Sequence, residues 1–284
     1  MQRLLTRKDC ANYMIFVSVV RDFPLYIRSV RENRNNVGAR FVVYDNNVEN
    51  KRVPTRYNEF LDSYDFSLED WIVFCHEDFQ FLEPLSEKLS LMNKGSIYGV
   101  FGALPREIGV GLQIDSNKDG SDASFRGFPV IKATLVDTVD CACLIVHSSL
   151  VLRYGLRFDE NLTFDLYVED FVISAHQRFG VKTYVLPIKS QHYSYGNITS
   201  RFYEQLDYLN RKYSDLPRVY VTTTAEVIGR SDKLEKMRVL LRRRKLFRRF
   251  FRKKVSHKGD LLIKVLGVLV WKSHKFNINQ WGIR

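Results

Sequence analysis

The chain has 284 residues, of which 45% are hydrophobic and 13% aromatic, enough for a packed core and incompatible with a protein that is disordered throughout. The formal net charge is +12, but residues 236–258 contain twelve Lys or Arg and no Asp or Glu. Removing these twelve from the 44 basic residues leaves 32, equal to the 32 acidic residues. The basic excess therefore belongs to one segment, which argues against a protein body that binds nucleic acid.

Cysteine spacing and the N-terminal residues bear on the cellular compartment. Cys10, Cys75, Cys141 and Cys143 have neither the spacing of a disulfide framework nor that of a zinc ribbon, which indicates ordinary reduced thiols. Charges near the N-terminus leave no apolar stretch for a signal peptide. The sequence therefore predicts a cytoplasmic protein.

The first part of the chain alternates apolar runs with segments of helical spacing. Continuous runs rich in β-branched residues predict buried strands at residues 13–20, 39–47 and 71–75. The segments between them repeat apolar residues every three or four positions, as amphipathic helices do. Strands and helices alternating in this order predict a parallel α/β sheet.

The middle of the chain is less regular. Turn residues and apolar runs alternate there, and Gly180 is placed to end a helix. The predictions are strands at 96–104, 136–147 and 181–187, helices at 168–180 and 200–213, and loops at 105–127 and 190–196.

The C-terminal part has a different character. Residues 235–254 place six apolar residues within an arc of about 140° on a helical wheel and most basic residues opposite, which predicts an amphipathic helix. Residues 261–272 are apolar but only about half the ~20 residues that a membrane span needs. The alternative is a stretch of charged residues that is simply exposed to solvent. We favour a peripheral contact of residues 236–272 with an anionic membrane. We expect the chain to consist of a main domain, residues 1–225, and a basic amphipathic helical tail, residues 226–284.

Polar residues follow the predicted strands at the points where these strands end. Asp45, Asn46 and Asn47 follow the second strand, residues 76–78 (His-Glu-Asp) follow the third, and His192 lies in a later loop. Ligands of open α/β sheets bind beyond the carboxyl ends of the strands. Two carboxylates and an imidazole at one rim suit Mg²⁺ or Mn²⁺.

The motifs, in chain order from about residue 13 to 196, resemble those of inverting, nucleotide-sugar-dependent glycosyltransferases of the GT-A type, specifically bacterial family-2-like enzymes. The resembling stretches are VVYDNN, TRYNEFLDSY, WIVFCHEDFQF, VDTVDCACLIVHSSLV, the Glu-Asp helix around VEDFVISAHQRFG, and QHYSYG. The resemblance implies a single Rossmann-like domain with a mostly parallel central sheet, followed here by the basic amphipathic helical extension.

The resemblance also implies roles for individual residues. Donor binding falls to Asp45, Arg56, Asn58, His76 and Glu77. The metal ligands are Asp78 and His192, Asp140 lies on the acceptor side, Asp170 takes the place of the catalytic base, and Glu169 takes that of its neighbour.

Two residues depart from the family pattern, and each candidate has a structural alternative. His76 stands where the family has the first Asp of its Asp-x-Asp motif, and Cys141 stands where many relatives have Gly. Asp45 and Asp78 could cap a turn or a helix, Glu169 and Asp170 could favour a helix N-terminus, and the histidines could be buried hydrogen-bonded residues. Asp140 could be a polar residue that begins a strand.

The implied activity is transfer of a sugar, UDP-linked by preference, to a capsule, O-antigen or other lipid-linked or polysaccharide acceptor. The metal would neutralise the leaving diphosphate, and a carboxylate would accept the proton of the attacking hydroxyl. Two alternatives stay open. One is a nucleic-acid-binding protein that uses the basic tail, and the other is a non-catalytic protein that binds sugar nucleotides.

Overall fold

A computed structural model describes residues 14–105, 107–229 and 237, and the backbone of three further strands between 251 and 273. The strands are β1 (Met14–Val20), β2 (Arg40–Asp45), β3 (Trp71–Cys75), β4 (Phe79–Phe81), β5 (Ile97–Gly99), β6 (Gly102–Leu104), β7 (Glu107–Asp115), β8 (Ser124–Phe128), β9 (Thr134–Val136), β10 (Thr138–Val139), β11 (Cys143–His147), β12 (Thr183–Val185), β13 (Ser190–His192), β14 (Tyr220–Val221), β15 (Val227–Ile228), β16 (Phe251–Val255), β17 (Leu261–Val265) and β18 (Val268–Ser273).

Helices connect most of the early strands, as their apolar spacing predicts. Within the described residues they are α1 (Phe23–Tyr26), which continues as a π-helix (Ile27–Arg31), α2 (Val53–Ser63), α3 (Leu85–Leu89), α4 (Ser148–Tyr154), α5 (Tyr167–Phe179) and α6 (Ser200–Lys212), with short 3-10 helices at Arg34–Asn36 and Phe66–Leu68.

The central sheet has seven strands among the described residues, in the order β2-β1-β3-β11-β5-β12-β9. The pairs β2–β1, β1–β3 and β5–β12 are parallel, and β11 is antiparallel to both of its neighbours. Five strands share one direction, while β9 and β11 run opposite to them. The predicted α/β class with a mostly parallel central sheet is confirmed.

Apolar residues cover both faces of this sheet because its inner strands are apolar at nearly every position. Alternate residues point to opposite faces, so Ile72 and Phe74 join the cluster under α2, α4, α5 and α6. Trp71 and Val73 join a second cluster, to which α1, α3 and β4 contribute. The sheet is thus the middle layer of three, and its strands end at a rim that both helical layers leave open.

The Gly-rich segment 105–127 corrects a prediction, because most of it is strand rather than loop. β7 (Glu107–Asp115) and β8 (Ser124–Phe128) pair in a second sheet with the order β10-β6-β7-β13-β4. Gly111 and Gly127 have φ of +95° and +79°, and a Cβ at either would lie 2.3 Å from a backbone oxygen. These glycines allow close strand contact, a role that composition alone does not distinguish from a turn.

Three other predicted boundaries change. The strand predicted at 96–104 is two strands in different sheets, β5 and β6, and the strand predicted at 136–147 is interrupted at Asp140 between β10 and β11. The loop predicted at 190–196 begins with β13 (Ser190–His192). Helix α5 ends at Phe179, with Gly180 at φ +68°, which confirms its predicted C-terminal cap.

The C-terminal helix prediction is wrong for its last residues. Phe251–Val255 is a strand, paired antiparallel with β17, which pairs in turn with β18. The partner strands β17 and β18 contain Val, Ile and Trp, which favour extended backbone, and a helical wheel of residues 235–254 takes no account of pairing with them. Residues 238–250 lie outside the described residues. Among the described residues, no helix is both long and apolar enough to cross a membrane.

Candidate functional site

Two imidazoles and one carboxylate meet at the open rim of the sheets. His76 and Asp78 follow β3 directly, and His192 ends β13. The distance from His192 Nε2 to Asp78 Oδ1 is 3.2 Å, and that from His76 Nδ1 to the same oxygen is 3.9 Å. One ligand atom from each residue lies within 4.8 Å of the other two, and this triad is the one such group in the described part of the chain.

The pairing of short strands brings His192 to Asp78. β13 pairs antiparallel with β4, so His192 stands opposite Phe79, and the Tyr193 N–H donates to the Asp78 carbonyl at 2.8 Å. β13 also runs parallel to β7, which places Asp115 beside His192. Backbone hydrogen bonds therefore bring together Asp78 and His192, which are more than a hundred residues apart in the sequence.

The electrostatics of the triad suit a bound cation. Burial opposes ionisation of Asp78, but the two imidazoles outweigh it and hold its pKa at about 2. Burial lowers the pKa of His76. For His192 the effect of burial is exceeded by Asp78, Asp140 and Asp115, and the pKa is raised.

The residues present fit a divalent cation. Asp78 Oδ1 and His192 Nε2 are buried 3.2 Å apart, and in the described part of the chain neither has a partner in good hydrogen-bond geometry. Unpaired buried polar atoms are costly, and a shared ligand would satisfy both. Ligand atoms bound at about 2.1 Å to one ion lie at most about 4.2 Å apart, so small side-chain shifts complete the site. Oxygen plus imidazole suits Mn²⁺ or a similar ion.

A chain of contacts links the triad to the start of α5. His76 Nε2 lies 3.0 Å from the Tyr167 hydroxyl, which donates to the Cys141 carbonyl at 3.1 Å. Cys141 Sγ donates to Glu169 Oε2 at 3.1 Å. Glu169 is 3% exposed, and its burial raises its pKa to about 8. The residue before the helix, Leu166, has φ of +60°, an uncommon value for a non-glycine residue.

Asp140 lies at the turn between β10 and β11, close enough to the triad to interact with His192. Its Oδ1 accepts from the Ala142 N–H, and its Oδ2 accepts from the Thr223 hydroxyl at 3.0 Å. Burial would raise its pKa, but Arg126, 3.7 Å away, and His192 lower it. Asp140 is thus an ionised carboxylate beside the triad.

An open cleft of about 540 Å³ begins at the triad. His76, Glu77 and Asp78 line it on one side, and Asn46 and Tyr57 also contribute. Its positive side chains are Arg21, Lys51, Arg52 and Arg201.

An aromatic ring separates one of these cations from the triad. The ring of Phe164 stacks on His76 with 5.2 Å between centroids, and the Arg201 guanidinium lies 5.3 Å from the Phe164 ring centre. Arg201 also pairs with Asp165 at 2.7 Å. One end of the cleft therefore has side chains that could hold a cation, and its mouth is positively charged, a combination suited to an anionic ligand such as a diphosphate.

Three predicted donor-binding residues do not line this cleft. Asp45 is exposed and accepts from the N–H and side chain of Asn47, which forms a local turn. Arg56 pairs with Glu49 and Glu59. Asn58 bonds the backbone of Phe158, and so joins α2 to the segment before α5.

Glu77 lines the cleft but its carboxylate points at the backbone. It accepts from the N–H groups of Arg21 and Asp22 at 2.5 and 2.9 Å. It therefore holds the loop between β1 and α1, and places Arg21 at the mouth of the cleft.

Asp170 lies in a different environment from Glu169, although the two are adjacent in sequence. Its Oδ1 accepts from Lys212 Nζ and from the Tyr213 hydroxyl, both at 2.7 Å. It lines a second pocket, of about 410 Å³, that shares no residue with the first. Burial raises its pKa despite the ammonium of Lys212.

The sequence analysis did not identify several residues that line the cleft or lie beside the triad. Arg21 follows β1 at the same rim as Asp78, so the rule for strand ends would have found it. Asp115 was hidden in a segment predicted as loop, and Phe164 and Arg201 belong to no strand end. Their position depends on how α5 and α6 close over the rim.

The solved structures that are similar to this chain include two with low scores. No protein-family model matches the sequence, and no curated protein matches it. The crystal structure of A197 from STIV is similar with a TM-score of 0.38 and 12% identity over 78% of this chain and 95% of that one. GalNAc-T7, solved with UDP, GalNAc and Mn²⁺, gives a TM-score of 0.45 and 10% identity over 82% of this chain. This chain spans 55% of the length of GalNAc-T7. At these scores neither similarity assigns an activity.

Proposed function

We propose that this protein is a divalent-metal-dependent glycosyltransferase that transfers a sugar from a nucleoside-diphosphate donor, with UDP as the first candidate, to an acceptor hydroxyl with inversion. The observation that carries the proposal is the meeting of His76, Asp78 and His192 at one end of a positively charged cleft at the sheet rim. The ordered motifs that resemble GT-A enzymes support the same reading.

In this proposal, different residues of the cleft contact the metal and the phosphate groups of the donor. His76, Asp78 and His192 would hold the metal, which when bound supplies positive charge against a departing diphosphate. Arg21, Arg52 and Arg201 lie where they can donate to phosphate oxygens. Asn46, fixed by two bonds to the Lys51 backbone, shapes the wall of the same cleft.

Of the two candidate bases, we propose Glu169. Asp170 is bonded to Lys212 and Tyr213 and faces the second pocket, whereas Glu169 is linked through Cys141 and Tyr167 to His76. A carboxyl group with a pKa of about 8 accepts a proton readily, and it acts as the base in its ionised fraction. Asp140, an ionised carboxylate nearby, is proposed on the acceptor side.

We further propose that the acceptor is a lipid-linked or polysaccharide glycan at the inner face of the cell membrane, with capsule and O-antigen glycans as candidates. The strands β16–β18 contain the basic residues Arg252, Lys254, Lys264 and Lys272 among apolar residues. Basic residues favour contact with an anionic surface. We propose that the catalytic body and the surface-binding appendage divide near the predicted position, at 225. Because β15 pairs with β14, we include residues 226–229 in the body.

Metal binding tests the proposal directly. We expect Mn²⁺, titrated calorimetrically into the metal-free protein, to bind at one site and to raise the thermal midpoint by mass action. Asp78→Asn should weaken this binding by about 100-fold or more, since it removes the charged ligand. Glu77→Gln is the matched control, because its carboxylate points at the backbone, and it should bind Mn²⁺ within about twofold of the native protein.

Turnover separates an enzyme from a binding protein. Incubated with a panel of UDP-sugars and Mn²⁺ without acceptor, the native protein should slowly hydrolyse one donor, and Asp78→Asn should not. Metal binding with no turnover of any donor, in the presence or absence of glycan acceptors, would leave a non-catalytic sugar-nucleotide-binding protein. Unchanged activity in Asp78→Asn would contradict the assignment of Asp78 as a metal ligand.

A further inference from the structure

The thiol of Cys141 makes a contact that the proposed chemistry has not used. Cys141 Sγ donates to Glu169 Oε2 at 3.1 Å, and within the described residues no other side chain donates to this carboxylate. Cys141 is partly buried and Glu169 is 3% exposed, so water competes little for the contact. A buried carboxylate with a single side-chain donor depends on that donor for its orientation.

The backbone around Cys141 is fixed on several sides. Its carbonyl accepts from the Tyr167 hydroxyl, and the next residue, Ala142, donates its N–H to Asp140 and accepts from the His76 N–H at 3.0 Å. The Tyr167 hydroxyl also contacts His76. The thiol is therefore held in place by the same elements that hold the triad, and its direction toward Glu169 follows from that framework.

The charges around the pair define what the thiol does. Burial is the main cause of the raised pKa of Glu169, and the charges of Asp140 and Asp165 also raise it, whereas the bond from the Cys141 thiol lowers it. Tyr167 of α5 is the remaining titratable neighbour on this side. Burial, together with Glu169 and Asp140, keeps the Cys141 pKa well above its ordinary value, so the thiol stays protonated and acts as a donor.

We propose that Cys141 is a positioning residue, whose thiol holds the Glu169 carboxylate in one orientation and stabilises its ionised form for proton transfer. The inference rests on the proposed base role of Glu169, but the contact itself can be measured without any turnover. Serine at this position would preserve a donor, whereas alanine would remove it.

Infrared difference spectroscopy tests the contact in the full-length protein. The carbonyl band of protonated Glu169, identified by its absence in Glu169→Gln, should titrate with a midpoint that Cys141→Ala moves upward by about one pH unit. Cys141→Ser should restore the midpoint. Cys143→Ala, which removes a buried thiol that does not touch Glu169, should leave it unchanged.

The native protein provides a second measurement if Cys141→Ala does not fold. The S–H stretching band of Cys141, identified by its loss in Cys141→Ser, should shift with pH at the midpoint of the Glu169 carbonyl band. Bands that titrate independently, or a midpoint unmoved in a folded Cys141→Ala, would overturn the proposal.

Kinetics then separate the inference from the proposed function. With a sugar nucleotide that the native protein uses as substrate, we measure kcat as a function of pH. The acid limb of this profile should move to higher pH by about one unit in Cys141→Ala and return to its native position in Cys141→Ser. A structural role alone would lower stability and leave this limb in place, which would overturn the positioning role. If the spectra couple but the native protein transfers no sugar, the transferase proposal fails, and so does the catalytic role of Cys141, while the contact stands.

Discussion

Adjacent residues in one helix turn can have opposite surroundings, and Glu169 and Asp170 illustrate this. Successive helical residues point about 100° apart, so one carboxyl meets Cys141 and the other meets Lys212 and Tyr213. The first is linked to the triad, and the second fastens α6 to α5. In the proposed function, one acid of this motif has a chemical role and the other a structural role.

The pair predicts a clear contrast between two matched variants. Glu169→Gln should lower kcat for sugar transfer by about 10²–10⁴-fold, because it removes the proton acceptor, with little change in the free energy of unfolding. Asp170→Asn should retain most of kcat and lose about 1–2 kcal/mol of stability, because it weakens the bonds to Lys212 and Tyr213. Steady-state kinetics and urea unfolding measure both. The reverse result would return the base role to Asp170.

Lys212 predicts a pH-dependent loss of stability. Its ammonium pairs with Asp159 at 2.6 Å and with Asp170 at 2.7 Å. Burial would raise the pKa of Asp159, but the bonds to Lys212, Asn161 and Tyr208 lower it from 3.8 to about 2. Lys212→Met should therefore cost about 3 kcal/mol at pH 7, since it leaves two carboxylates without a cation.

The sign of the pH effect follows from that lowered pKa. A depressed folded-state pKa gives stability that is present above pH 3.8 and lost as the pH falls toward about 2. The difference in unfolding free energy between the native protein and Lys212→Met should therefore narrow across that range in acid-titrated urea melts. A gap that stayed constant down to pH 2 would contradict the ion-pair explanation.

At the scale of elements, the second sheet builds the site. β13 lies between β4 and β7, and this arrangement places His192 against both Asp78 and Asp115. The arrangement requires β7 to approach Val100 closely, which Gly111 permits. Substitution of a glycine in β7 should therefore change the geometry of the triad.

Gly111→Ala should destabilise the protein by about 3 kcal/mol or more and weaken Mn²⁺ binding. The added Cβ would lie 2.3 Å from the Val100 carbonyl oxygen at a positive φ. Gly38→Ala is the matched control, since Gly38 also has positive φ, +83°, but open space around it, and should cost about 1–2 kcal/mol. Guanidinium unfolding and Mn²⁺ calorimetry distinguish the two. Equal costs would show that φ strain alone matters.

At the scale of the whole molecule, charge is divided between two regions. Residues 230–284 contain 18 Lys or Arg and 3 Asp or Glu, a net charge of +15. The whole chain has a net charge of +12, so residues 1–229 have a net charge of −3. The appendage and the body therefore have opposite net charge. An anionic surface would attract the appendage and orient the body away from it.

Replacing basic residues of β16–β18 tests this orientation in the full-length chain. Changing Arg252, Lys254, Lys264 and Lys272 together to Gln should weaken binding to phosphatidylserine vesicles by about two to three orders of magnitude, because each charge near the surface contributes about 1 kcal/mol. The control changes four exposed basic residues of the body to Gln, and should cost less than tenfold. Its positions are Arg34, Lys94, Lys132 and Lys182.

Vesicle co-sedimentation at several salt concentrations gives the comparison. Equal losses in the two variants would indicate a net-charge effect, and salt-sensitive RNA binding without vesicle binding would favour the nucleic-acid alternative.

The sequence by itself determined the α/β class, the early strands and helices, and the position of Asp78 at a strand end, because these follow from local apolar periodicity and from a rule about strand termini. It also placed His192 near the metal candidates through the resemblance. Only the tertiary structure decided that Glu169 contacts Cys141 whereas Asp170 contacts Lys212 and Tyr213. It also decided that Arg56 and Asn58 make their contacts outside the cleft, and that glycines in 105–127 belong to strands. Those outcomes depend on contacts between residues far apart in sequence, and local pattern does not encode which neighbours a side chain will meet.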